Sequence, residues 1–94
     1  MQFVVYALDG PDGAGRRPAL YPEHRAHLSD AARWDVEVLV SGPLVADDGA
    51  TPIGSLFVFE AADRATVERF HQADPFAREA IWERIEIRAF VRKR

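Results

Sequence analysis

The chain has no cysteine, which removes a disulfide framework, a thiolate nucleophile and a cysteine-held zinc site together. It also lacks a basic block before Arg92-Lys93-Arg94: 12 basic residues stand against 15 acidic ones, for a net charge of -3. A nucleic-acid domain presents a basic face to phosphates, so neither DNA nor RNA is an expected partner, and the three terminal charges read as a solvated tail. The stretch Gln2-Phe3-Val4-Val5-Tyr6 has no basic leader and no long apolar run around it. Neither a secretory signal nor a membrane span is expected, and a cytoplasmic location follows as the expectation.

What remains is rich in core-forming residues. Hydrophobic side chains make up 48% of 94 residues, among them six Phe, two Trp and two Tyr. That composition supports one packed domain over residues 1–94, although a chain of this size buries only about two thirds of its unfolded surface.

Phe3-Val4-Val5-Tyr6-Ala7-Leu8 is a β-branched and aromatic run closed by the turn formers Asp9-Gly10-Pro11-Asp12-Gly13, hence a strand and a loop. From about Leu20 to Trp34 the spacing turns helical, with Leu20, His24, His27, Leu28, Ala31 and Ala32 on one stripe, so His24 faces inward. Val36–Val40 alternates as a strand, Ser41-Gly42-Pro43 bends it, and Asp47–Pro52 is a hairpin tip before a third strand over Ile53–Phe59. Asp63 is a good N-cap for a second helix carrying Val67, Phe70 and His71 inward. Pro75 ends that helix and leaves Asp74 with extended backbone. A short turn through Ala77–Ala80 leads to a last strand in which Ile85, Ile87 and Ala89 alternate with Glu86 and Arg88.

The order β-α-β-β-α-β, with right-handed crossovers, gives an α+β, ferredoxin-like sheet of spatial strand order 4-1-3-2. Hydrophobicity agrees with this order independently, since strands one and three are apolar at nearly every position and strands two and four carry charges. Two helices cover one face of such a sheet. Phe3, Val5 and Ala7 on one side and Val4, Tyr6 and Leu8 on the other make both faces apolar, so the face without helices needs a cover, and a second copy of the chain is the expected one.

The chemistry-bearing pair is His24 and Asp74. Histidine exchanges a proton near neutral pH, and a carboxylate partner orients the ring and stabilises the imidazolium. Ser41, Gly42, Pro43, Phe76 and Tyr6 are the expected pocket residues around them. His24 and His27 share a helix face and could take a metal with His71, but no carboxylate falls at a ligand spacing beside the first two, so no metal is expected. Gly10, Gly13 and Gly15 do not have the G-x-G-x-x-G spacing of a dinucleotide loop, so no cofactor is expected either.

Tyr21-Pro22-Glu23-His24-Arg25-Ala26-His27-Leu28, Ser41-Gly42-Pro43-Leu44, Gly54-Ser55-Leu56 and Ala73-Asp74-Pro75-Phe76, in that order and spacing, resemble the YciI-like (YCII-related) family over essentially the whole chain. The resemblance implies a dimeric α+β-barrel of ferredoxin-like subunits and a His/Asp active site that maps onto His24 and Asp74. A few members are implicated in cofactor-independent chemistry on aromatic rings, such as dehydrochlorination, while most have no assigned reaction. Many relatives carry Arg at the position of Tyr21 and Leu at that of Arg25. Two readings are therefore carried forward: a small lyase or isomerase moving a proton with His24 and Asp74, and a non-catalytic ligand-binding or assembly module using the same cleft.

Overall fold

In the first strand, β1 (Gln2–Asp9), Phe3, Val5 and Ala7 are buried while Tyr6 is 37% exposed, because successive side chains of a strand leave opposite faces. The buried row sets the register of the sheet. In the computed structural model, which describes residues 1–93, Val5 lies opposite Phe57 of β3 (Pro52–Glu60) and Ile87 of β4 (Trp82–Phe90), and Phe3 lies opposite Phe59. With β2 (Glu37–Val45) paired to β3, the antiparallel order is β2-β3-β1-β4. This is the expected 4-1-3-2 read from the other edge.

Gly54 makes the central pairing possible. A Cβ at that position would lie 2.2 Å from the Ala7 carbonyl oxygen, a backbone clash that no side-chain movement relieves, so any other residue there forces β1 and β3 apart. Next to it, Ser55 is held on the helix-covered face.

Two longer helices and a short one cover that face. The first, α1, runs from Gly13 to Ser29 with Pro18 and Pro22 inside it, seven residues earlier than the glycine- and proline-rich sequence suggests. Each proline removes one helical N–H bond, leaving the carbonyls of Ala14 and Pro18 without that donor. Ala14, Pro18 and Pro22 all lie on the exposed flank, away from the packed stripe. The opposite stripe, Gly13, Arg17 and His24, is buried. The helix also ends earlier than expected: Ala31–Trp34 is a separate 3-10 turn closed by Asp35 in the left-handed conformation, φ 60.

The second helix, α2 (Arg64–Gln72), begins as expected. Asp63 has extended backbone and its side chain accepts the Thr66 N–H at 2.9 Å, satisfying an otherwise orphaned helix donor. Pro75 then opens a further short helix, α3 (Pro75–Arg78), with Asp74 as its cap at φ -64, ψ 135. The segment expected to be only a turn thus starts with one helical turn. Phe57, Phe59, Val67, Phe70, Phe76 and Ile81, each at most 1% exposed, fill the space between sheet and helices, and burial of each such side chain contributes on the order of 1.5–3 kcal/mol. Among the described residues no helix is long and apolar enough to cross a membrane.

Candidate functional site

α1 and α3 are packed together at one end of the sheet, and this brings His24 to Asp74 across fifty residues of sequence. The His24 Nδ1 is 2.9 Å from Oδ1 and 2.8 Å from Oδ2 of Asp74, with both side chains buried. Asp74 Oδ1 also accepts the Phe76 N–H at 2.9 Å, so the local chemistry of the pre-proline cap fixes where the carboxylate points. An ionised carboxylate only accepts. Nδ1 therefore carries the hydrogen in neutral His24, and Nε2 is left with its lone pair.

The ring is clamped as well as bonded. It stacks on Phe76, centroids 4.2 Å apart and planes 4° from parallel, and meets the Trp82 ring edge-on at 6.0 Å. His24 lines a cavity of about 400 Å³ between α1 and the β2–β3 hairpin, together with Arg17, Tyr21, Ser55 and Phe57. That volume suits a small ring compound. Ser41, Gly42 and Pro43 border the same cavity from β2. They do so without a break in the strand, which runs on to Val45.

Two expected pocket residues are placed differently. Phe76 is fully buried and supports the back of the His24 ring instead of forming the cavity wall. Tyr6 lies on the opposite face of the sheet, since it alternates with the buried Val5 and Ala7, and within one subunit it cannot reach His24. The three histidines also do not converge. His27 Nε2 is 2.7 Å from the Phe70 carbonyl oxygen, so it donates there. His71 stacks on Trp82 at 4.7 Å. No group of three metal-ligating side chains comes together among the described residues.

His71 has the most perturbed protonation. Burial pushes its imidazole down to about 4, against the opposing pull of the Asp74 charge, because a charged ring loses its hydration there. Its Nε2 is buried without a hydrogen-bond partner among the described residues. It stands behind Trp82 as a neutral, apolar-like filler.

The sequence reading missed Arg17 and Ser55. Arg17 is 8% exposed and grips Asp9 twice, Nε to Oδ2 at 2.7 Å and Nη2 to Oδ1 at 2.8 Å. Its Nη2 also donates to Ser55 Oγ at 3.0 Å, and its guanidinium lies 5.0 Å from the Phe76 ring centre. A signal existed. Arg17 is seven residues before His24, two helical turns on the same stripe, and Asp9 continues the inward row Phe3, Val5, Ala7. Gly13 completes the arrangement, because a Cβ there would sit 2.7 Å from Asp9 Cβ.

Comparisons with known proteins bear on the family and the fold. The model of the YCII-related domain matches residues 1–91. Protein YciI of Escherichia coli O6:H1 and of Shigella flexneri are each 28% identical to the chain over 96% of both sequences. Among solved structures, 5-chloro-2-hydroxyhydroquinone dehydrochlorinase (TftG) from Burkholderia phenoliruptrix, in complex with 2,5-dihydroxybenzoquinone, superposes with a TM-score of 0.85 at 24% identity, covering 99% of this chain and 96% of that one. An antibiotic biosynthesis monooxygenase superposes with a TM-score of 0.54 at 15% identity, covering 97% and 98%. These structural likenesses speak for the fold, a four-stranded antiparallel α+β domain of ferredoxin-like type. With the sequence match running from the first strand to the end of the last, the chain belongs to the YCII-related family.

Proposed function

We propose that the protein is a cofactor-independent enzyme of the lyase or isomerase type, in which His24 moves a proton on a small hydroxylated ring or conjugated carbonyl compound and Asp74 orients it. One observation carries the reading: His24 Nδ1 is engaged by the Asp74 carboxylate at 2.8 Å while the ring itself forms part of a cavity wall. With Nδ1–H donated to the carboxylate, Nε2 takes the proton from a bound C–H or O–H, and the imidazolium that results is stabilised by the charge behind it. Returning that proton to another atom of the same ligand isomerises it. Departure of an anion from the deprotonated ligand instead completes an elimination. The dehydrochlorination named for TftG is an elimination, and it supports this reaction type for the present chain.

The working unit in this proposal is a homodimer formed through the uncovered sheet face. Tyr6 is 37% and Val40 43% exposed there, with Val4, Leu8 and Leu56 half-buried beside them, an apolar area that a second copy would cover. Sedimentation at micromolar concentration tests it, and a stable monomer is the contrary result.

The proton-transfer step is tested with 2,5-dihydroxybenzoquinone in D2O, reading the loss of its ring C–H signal by proton NMR. The wild-type protein should accelerate exchange, and His24→Ala should lower that rate about 10²–10⁴-fold. Binding of the quinone without any acceleration would favour the ligand-binding module.

A further inference from the structure

The cavity has a polarity set by Ser55. A hydroxyl offers one donor and two acceptor lone pairs, and both lone pairs of Ser55 Oγ are taken: Arg17 Nη2–H donates to it at 3.0 Å and Trp82 Nε1–H at 3.2 Å. The Ser55 side chain is buried, lines the cavity, and makes no donated hydrogen bond among the described residues. Its O–H is the one valence left, and a hydroxyl that already accepts twice can meet a ligand only as a donor.

Arg17 adds to this. Of its five N–H bonds, Nε–H and one Nη2–H go to Asp9 and the other Nη2–H goes to Ser55, while the two on Nη1 have no partner among the described residues. Arg17 is 8% exposed, and it lines the same cavity. Asp9 holds the guanidinium rigidly in place by its two-pronged grip.

We infer that Ser55 Oγ–H, with Nη1 of Arg17, forms a subsite for a ligand oxygen that bears or develops negative charge, such as a phenolate, an enolate or a quinoid carbonyl, placed across the cavity from the proton acceptor His24 Nε2. The inference rests on the proton-transfer reading for the identity of the reacting ligand, and it names what that reading lacks: where the electrons go when the proton leaves. As His24 takes the proton, the bonding pair is delocalised through the conjugated ring onto the oxygen, and donors fixed beforehand at that oxygen stabilise it without reorganising. The two donors are held by Asp9 and Trp82, so they are in place before the ligand arrives. Ser55 is thereby a specificity-determining residue: a ligand offering only N–H groups at this point finds no acceptor, and donors left unpaired in a buried site are strongly rejected.

The experiment uses 2,5-dihydroxybenzoquinone as the probe and the full chain as the protein. Calorimetry should show Ser55→Ala binding the quinone about ten- to a hundredfold more weakly than wild type, as expected for the loss of one hydrogen bond to a charged oxygen. Because that variant also strips an acceptor from Arg17 and Trp82, a second measurement is made on the wild-type protein alone. Quinone addition should shift the Trp82 indole N–H signal, which is wired to the ligand through Ser55, and leave that of Trp34 in place. Unchanged affinity in a folded Ser55→Ala, binding without movement of the Trp82 signal, or no binding by wild type at millimolar quinone would each overturn the subsite. The two readings fail separately: binding that depends on Ser55, in a protein that does not accelerate C–H exchange, keeps the subsite and removes the proton-transfer proposal.

Discussion

His24 and His27 lie three residues apart on the same helix and each stacks on a phenylalanine, His24 on Phe76 at 4.2 Å and His27 on Phe70 at 4.3 Å. Their partners differ. The nitrogen of His24 is held by a carboxylate and the ring forms part of a cavity wall, whereas that of His27 is held by the backbone carbonyl of Phe70, with the Trp34 ring edge-on to it at 5.5 Å. A carbonyl oxygen carries no net charge to stabilise an imidazolium, and His27 does not line the cavity. Stacking is thus common to both histidines, and the charge behind the ring and the cavity beside it are what set His24 apart from His27.

The comparison breaks most visibly by substitution of both. His24→Gln should lower quinone C–H exchange about 10²–10⁴-fold while His27→Gln leaves it near wild type, read by proton NMR in D2O. Equal losses would erase the distinction between the two histidines. Asp74→Asn should follow His24→Gln in direction, with a loss of up to about 10⁴-fold, because the amide can donate to Nδ1 and hold the ring in the wrong tautomer. A double variant separates a shared pathway from two independent effects: its loss should be no greater than that of His24→Gln alone.

A third histidine sharpens the contrast through acid sensitivity. His71 is buried with its imidazole pushed down to about 4, whereas in the unfolded chain it takes a proton near its ordinary value of about 6.5. Between those values the unfolded state binds more protons than the folded one, so stability falls as pH drops from about 6.5 to about 4 and levels off below. The ceiling on that loss is roughly 3 kcal/mol. Denaturant midpoints of wild type and His71→Phe, measured from pH 7 to pH 4, check it: the phenylalanine keeps the stack on Trp82 and should flatten this part of the decline. The smallest effect is expected at His27, where replacement by Leu leaves the Phe70 carbonyl without its donor and should cost about 1 kcal/mol of stability, visible in the same denaturant series.

Much of the fold was legible because it rests on local rules. Alternation in Phe3-Val4-Val5-Tyr6-Ala7-Leu8 marks a strand whatever it packs against, apolar strands one and three mark the centre of the sheet, and the Asp63 cap and the extended Asp74 follow from side-chain chemistry within a few residues. The same locality explains the error at α1. Gly13-Ala14-Gly15 and two prolines argue against a helix by propensity, so periodicity alone starts the helix at Leu20; its first turns exist because Arg17 reaches back to Asp9 across a turn that Gly13 leaves open.

Sequence by itself determined the strand order, the inward stripe that carries His24, and the extended backbone at Asp74, since each depends on periodicity or on neighbours in the chain. Tertiary structure alone decided which partner each histidine takes, that Tyr6 faces away from the cavity while Phe76 lies behind the ring, and that both lone pairs of Ser55 are filled by Arg17 and Trp82 from different elements. Hydrogen bonds are satisfied across space and saturate one atom at a time, so the unspent valence of a buried hydroxyl becomes visible only when every group around it has been placed.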